Sequence, residues 1–212
     1  MATRDAAAPV RTVDVSELPA QLPLIMGQVL GAGAGAPAAG PYVLGDTATD
    51  VNGVKWTCTV AGTPGSWCSE PISGQTVIGS AAWAALGGVA NGQLPVVTLP
   101  IGAELTSMFY VPTVLYTDAA PPLGASTLSA GLTGTPIEIL LAAGNAVDDA
   151  AAAINIPRVL NGASMDGTGR GVWSMVATTA VIAELTIGGG KFLNAITAGS
   201  VTFYYTYIIH SV

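Results

Sequence analysis

Near the C-terminus, Val201-Thr-Phe-Tyr-Tyr-Thr-Tyr-Ile-Ile209 alternates with period 2 in β-branched and aromatic residues. Such alternation is the pattern of a β-strand. One face carries Val201, Phe203, Tyr205, Tyr207 and Ile209; the other, with Thr202, Tyr204, Thr206 and Ile208, is half polar. A strand this rich in aromatics is expected in the middle of a sheet or well covered, because a bare edge of this kind promotes aggregation. Upstream, further strands are predicted at Val96–Leu99, Glu104–Val111, Thr113–Tyr116, Ile137–Leu141, Gly171–Thr178 and Val181–Ile187. Pro112 interrupts the 104–116 run, which predicts a bulge or an edge there. Only Asp148-Asp-Ala-Ala-Ala-Ala-Ile154 has helix-favouring composition, with acids placed to suit a helix N-terminus. Short strands joined by turn-rich connections predict a mainly β chain, with an antiparallel, jelly-roll-like β-sandwich over residues 95–212.

The preceding sequence divides into three stretches. Residues 1–40 read as an extended N-terminal docking arm: Leu18-Pro-Ala-Gln-Leu-Pro-Leu-Ile-Met26 is stretched by its X-Pro steps, and Gly31–Gly40 is low-complexity Gly/Ala/Pro. Such a segment has little with which to build a core of its own, so a partner is expected to hold it. Residues 41–70 read as a small β module, with an Asn52-Gly53 turn and an alternating strand Val54–Val60. A Pro/Gly turn at Ala61–Gly65 leads into Ser66–Ser69. If that turn closes a hairpin with Val60 opposite Ser66, Cys58 faces Cys68 at disulfide range. The alternative is two partly buried thiols, as in a cytosolic assembly. Residues 71–94 read as an uncharged linker anchored by Trp83, although Ser80–Leu86 is able to form a turn or two of helix.

Composition changes the picture mainly at the surface. Of 212 residues, 50% are apolar and only 9% charged, against roughly 25% charged in an ordinary globular protein. High hydrophobicity with low charge excludes disorder. The uncharged run Leu18–Gly45 holds four prolines and six glycines, which excludes a spanning helix. No basic-then-apolar export signal is visible at the N-terminus. A net charge of −7 with six scattered Lys and Arg argues against nucleic acid. An apolar, charge-poor chain is most simply accommodated against copies of itself or within a larger assembly. The other accommodation is a monomer with a neutral Ser/Thr/Gly surface.

Two stretches resemble phage virion proteins. Tyr42-Val-Leu-Gly-Asp46, followed by Asp50-Val-Asn-Gly-Val-Lys-Trp-Thr-Cys-Thr-Val-Ala-Gly-Thr-Pro-Gly-Ser-Trp67, resembles a short β module of bacteriophage tail-fibre and head-fibre proteins. The C-terminal part, opening on Leu99-Pro-Ile-Gly-Ala103 and closing on Thr197-Ala-Gly-Ser-Val-Thr-Phe-Tyr-Tyr-Thr-Tyr207, is similar to the β-sandwich that ends many phage virion proteins. The resemblance implies a homotrimer and brings no catalytic residues with it.

The residues themselves assemble no chemistry. Gly31-Ala-Gly33 is followed by Pro37 and more glycines rather than by a helix whose N-terminus binds phosphate. The single histidine, His210, reads as a solvated or interface residue rather than a general base. Two cysteines and one histidine do not make a zinc site. Asp148 and Asp149 are adjacent and do not face across a cleft, and Asp166-Gly-Thr-Gly-Arg170 lacks the ladder of a calcium loop. Met108, Trp173 and Met175 read as core.

The expectation is therefore a non-enzymatic structural protein of the virion, assembled in the host cytoplasm and needing no cofactor or metal. Its arm is expected to dock on the major capsid protein or another virion protein through Val10, Val13, Val15, Leu18, Leu22, Leu24 and Ile25. Its β domains would project as capsid decoration, head fibre or tail fibre. The alternative is a tail-fibre or tail-tip receptor-binding protein that holds a host surface glycan on Trp67, Trp83, Tyr116 or Trp173. A secreted adhesin subunit is a third reading, disfavoured by the missing export signal.

Overall fold

The computed structural model describes residues 33–118, 126–132 and 175–211, together with the backbone of 28–30, 141–146 and 158–159. The chain divides into two compact units, residues 1–68 and 69–212.

The first unit is built on a four-stranded sheet in chain order: β1 (Gln28–Leu30), β2 (Thr47–Thr49), β3 (Lys55–Val60) and β4 (Ser66–Ser69). β1 runs parallel to β2, and β2 antiparallel to β3 with Ala48 opposite Trp56. Tyr42, Ala48, Trp56, Cys58 and Trp67 are buried. Tyr42 meets Trp67 edge to face at 4.8 Å. This core is small, and a polar centre supplements it. The Asp50 carboxylate is buried and accepts hydrogen bonds from the backbone N–H of Gly35 (2.8 Å), Asn52 (2.9 Å) and Val54 (2.9 Å). The Trp56 indole N–H approaches it at 3.5 Å. An aspartate at the head of an Asn-Gly turn binds its own backbone in this way. Here it also ties down the chain fifteen residues upstream.

The second unit is a sandwich of two four-stranded sheets. Its strands are β5 (Ile72–Gly79), β6 (Asn91–Leu99), β7 (Ala103–Asp118), β8 (Thr127–Leu132), β9 (Leu141–Ala146), β10 (Arg158–Val159), β11 (Thr179–Thr186) and β12 (Ile196–Ile209). One sheet has the order β10-β7-β12-β5, the other β6-β11-β8-β9. The first strand of the unit thus pairs with the last, the second with the seventh, the third with the sixth and the fourth with the fifth. That nested antiparallel pairing is the jelly roll.

Between the sheets lie Leu99, Leu105, Met108, Tyr110, Leu128, Val181, Leu185, Val201 and Phe203, all buried. Burying each such side chain is worth roughly 1.5–3 kcal/mol. The helix α1 (Ser80–Ala84) links β5 to β6 and drives Trp83 into this core. The Trp83 indole donates to the Tyr116 hydroxyl (2.8 Å), which donates in turn to the Ile78 carbonyl (2.8 Å). The Tyr116 ring packs so closely on β12 that a Cβ at Gly199 would collide with Tyr116 Cδ1. Gly199 also has φ +129°, a conformation that side chains rarely adopt.

The expected central strand is central: β12 lies between β7 and β5, with Val201 and Phe203 in the core and Tyr205 and Tyr207 packed against it. Pro112 sits at a register shift, where Ser200 faces Val114 but Val201 faces Pro112. β7 absorbs that bulge and runs unbroken over the two strands expected at 104–111 and 113–116.

Other expectations are corrected. Residues 71–94 are not a linker; they hold β5, α1 and the start of β6, all packed into the sandwich. β5 is hard to read because its middle is Ser-Gly-Gln, and Gly74 is required by its neighbour. The Tyr205 ring lies over it, and a Cβ there would meet Tyr205 Oη at 2.6 Å. Of the strand expected at Gly171–Thr178, residues 175–178 form a bend. Leu141 opens β9, and β8 was not expected at all. Residues 1–27, Asp148–Ile154, Asp166–Arg170 and Trp173 lie outside the described residues.

Candidate interaction surface

Among the described residues, the aromatic candidates for glycan binding do not form a surface. Trp67, Trp83 and Tyr116 are each no more than 1% exposed, and the last two are bonded to one another. Burial pushes the Tyr116 phenol well above its ordinary pKa, and the Trp83 hydrogen bond offsets this only in part.

The cysteines are not bonded to one another. Cys58 lies on the buried face of β3 beside Trp56, with its thiol directed at the Val60 carbonyl (3.2 Å). On β4 the buried positions are Trp67 and Ser69, and Cys68 between them is half-buried. Alternate strand residues point to opposite faces, so the two sulfurs leave their strands on different sides and the register that would have joined them does not form.

His210 pairs with Glu104 (Nε2 to Oε2, 2.9 Å) at the end of β12, both side chains being partly exposed. Lys191 holds Asp118 at 2.6 Å. Among the described residues no three His, Cys, Asp or Glu side chains converge as a metal-binding group, and no helix is long and apolar enough to cross a membrane.

What the second unit does present is a sheet face whose centre is uncharged, with the Glu104–His210 pair at one end. On the side of the β10-β7-β12-β5 sheet turned away from the core, the side chains run in rows across the strands. Val77, Thr202 and Val111 form one row, Gln75, Tyr204 and Phe109 the next, and Ser73, Thr206 and Ser107 a third. Phe109 and Tyr204 stack at 4.9 Å with an interplanar angle of 13°. Ser73 and Thr206 share a 2.8 Å hydrogen bond between their hydroxyls. None of the nine carries a charge. Val77 is 60% exposed, and Val114, further along β7, 51%. The first unit has its own exposed apolar group. Tyr42 pairs with Gly62 and the Gly45 N–H bonds the Cys58 carbonyl, which sets Val43 and Leu44 beside the end of β3, where Val60 is also exposed.

The half-polar face of β12 is the part of this surface that was visible in the sequence. The contributions of β5 and β7 were not, because they depend on cross-strand register. The expected docking residues Val10, Val13, Val15, Leu18, Leu22, Leu24 and Ile25 lie outside the described residues.

No protein-family model matches the chain, and no curated protein matches it. Among solved structures, the chain is similar to one in the cyanophage Pam1 capsid asymmetric unit, with 18% identity, a TM-score of 0.40, and coverage of 66% of this chain and 84% of that one. It is similar also to a chain in the acid-stable capsid of Helicobacter pylori bacteriophage KHP30, with 13% identity, a TM-score of 0.32, and coverage of 68% and 98% respectively.

Proposed function

We propose that the chain is a non-enzymatic structural protein of a bacteriophage virion, acting as a building block that other subunits cover. The observation that carries this reading is the outer face of the β5-β12-β7 sheet, whose nine central residues carry no charge, with Phe109 and Tyr204 stacked among them and the Glu104–His210 pair only at its end. A free soluble domain ordinarily mixes charges of both signs into such a face. The fibre-like module Tyr42–Trp67 and the low overall charge support the same reading.

In this reading the N-terminal arm attaches the protein to the major capsid protein or another virion protein. Backbone pairing and small apolar contacts from Val10, Val13, Val15, Leu18, Leu22, Leu24 and Ile25 hold it there. The β units then project as decoration or fibre, with three copies as the working assembly in the virion. The test is to delete residues 1–27, which spares β1, and to measure incorporation into particles. Folded protein that no longer co-sediments with particles supports the arm's role; unchanged incorporation removes it. The second reading, a tail-tip glycan receptor, is weakened because Trp67, Trp83 and Tyr116 are buried, while its remaining candidate, Trp173, lies outside the described residues.

A further inference from the structure

Among the described residues the sandwich has four sheet edges, β5, β10, β6 and β9, and they are not equally protected. An open edge is a row of unpaired N–H and C=O groups that recruits another strand unless it is short, bulged, charged or interrupted by proline. β10 is two residues long. β6 carries Pro95 and a register shift against β11. β9 shifts register against β8 between Leu128 and Ala130. β5 has none of these devices. Its eight residues, Ile72-Ser-Gly-Gln-Thr-Val-Ile-Gly79, contain no charge and no proline. It also pairs with β12 from Ser200–Gly79 to Tyr207–Ile72 without one register shift. Among the described residues, no backbone hydrogen bond reaches its outer edge.

The strand is also matched to itself. Ile72, Gly74, Thr76 and Ile78 are the less exposed set, and Ser73, Gln75 and Val77 the exposed set. Residues directly opposite in an antiparallel pair project to the same side. A two-fold register centred on Gln75 therefore sets Ile72 against Ile78, Gly74 against Thr76, Ser73 against Val77, and Gln75 against its own copy. Core-side residues meet core-side residues, and the uncharged outer face continues across the joint. No like charges meet at any position, which suits a second copy and gives a charged partner nothing to bind.

We propose that β5 is a self-pairing edge: two copies of this chain join β5 to β5, antiparallel about Gln75, and merge their four-stranded sheets into one of eight strands. The proposal rests on the reading of the chain as a subunit of an assembly and names the strand through which one copy meets the next. Such a contact is isologous, so it is able to link one trimer to its neighbour.

Hydrogen exchange on the full-length protein tests it, because alternate residues of an edge strand point their amides outward. Paired through β5, every amide of residues 73–79 is protected at high protein concentration, and every second one loses protection on dilution. Gln75→Lys and Gln75→Glu each put like charges face to face and weaken association by about fivefold or more, whereas their mixture restores it. Rapid exchange of the outward amides in protein that does self-associate overturns the pairing and leaves the subunit reading standing. So does a mixture no stronger than either variant. Protein that stays monomeric at every concentration overturns both.

Discussion

The two units solve the same problem with different chemistry. The first is small, and its few buried aromatics surround a carboxylate, Asp50, that holds three backbone N–H groups. The second is large enough to rely on a continuous apolar core, and its main polar device is a neutral relay, Trp83 to Tyr116 to Ile78. A buried charge stabilises the one; a buried neutral relay stabilises the other. Opposite responses to pH follow.

Burial by itself raises the pKa of Asp50, but the N–H groups of Gly35, Val54, Asn52 and Trp56 outweigh it and hold the carboxyl below its ordinary range. A depressed folded-state pKa gives stability that is complete above the ordinary carboxylate value, about 3.9, and is lost as pH falls through the folded-state value. Tyr116 is shifted the other way, its phenol raised by burial. The second unit therefore loses stability as pH climbs through the ordinary tyrosine value of about 10.

The largest expected effect is in the sandwich. Trp83→Ala empties a fully buried site and costs about 3–5 kcal/mol, read as a lower denaturant midpoint for the second unit, with the first unit's transition unmoved. Asp50→Ala follows. It strands buried donors that had a charged acceptor and costs on the order of 3 kcal/mol in the first unit alone. It also removes the acid-sensitive part of that unit's transition, measurable by tryptophan fluorescence between pH 2 and 6. Smaller again is Tyr116→Phe, which keeps the ring's packing but leaves the Trp83 N–H and the Ile78 carbonyl without their shared partner. It costs about 1–3 kcal/mol and abolishes this tyrosine's contribution to alkaline unfolding. If either polar variant destabilises both units equally, the contrast between them is wrong.

How far each unit was legible in the sequence follows the same division. β12 announced itself because nine residues alternate without a glycine or proline, and its place in the middle of a sheet followed from its aromatics. β5 and β8 did not, because Gly74, Ser129 and Gly131 break the apolar pattern at positions that packing accepts. Tyr205 covers Gly74, and Ser129 is buried opposite Glu184. The strand pairing of a jelly roll joins residues more than a hundred apart, such as Gly79 and Ser200, which local pattern does not encode. In the first unit the Asn-Gly turn was readable, yet the role of Asp50 was not. Its partner Gly35 lies inside a stretch that read as featureless arm. Of the two readings left open for the cysteines, the structure has the free thiols: the turn at Ala61–Gly65 does not bring Cys58 opposite Cys68.

The central claim is that the charge-poor faces exist to be covered by other subunits. Sedimentation velocity of the purified full-length chain over a hundredfold range of concentration tests it most directly. Assemblies heavier than one 21.1 kDa chain, growing as concentration rises, are expected. A single species of one chain's mass across the whole range would contradict it.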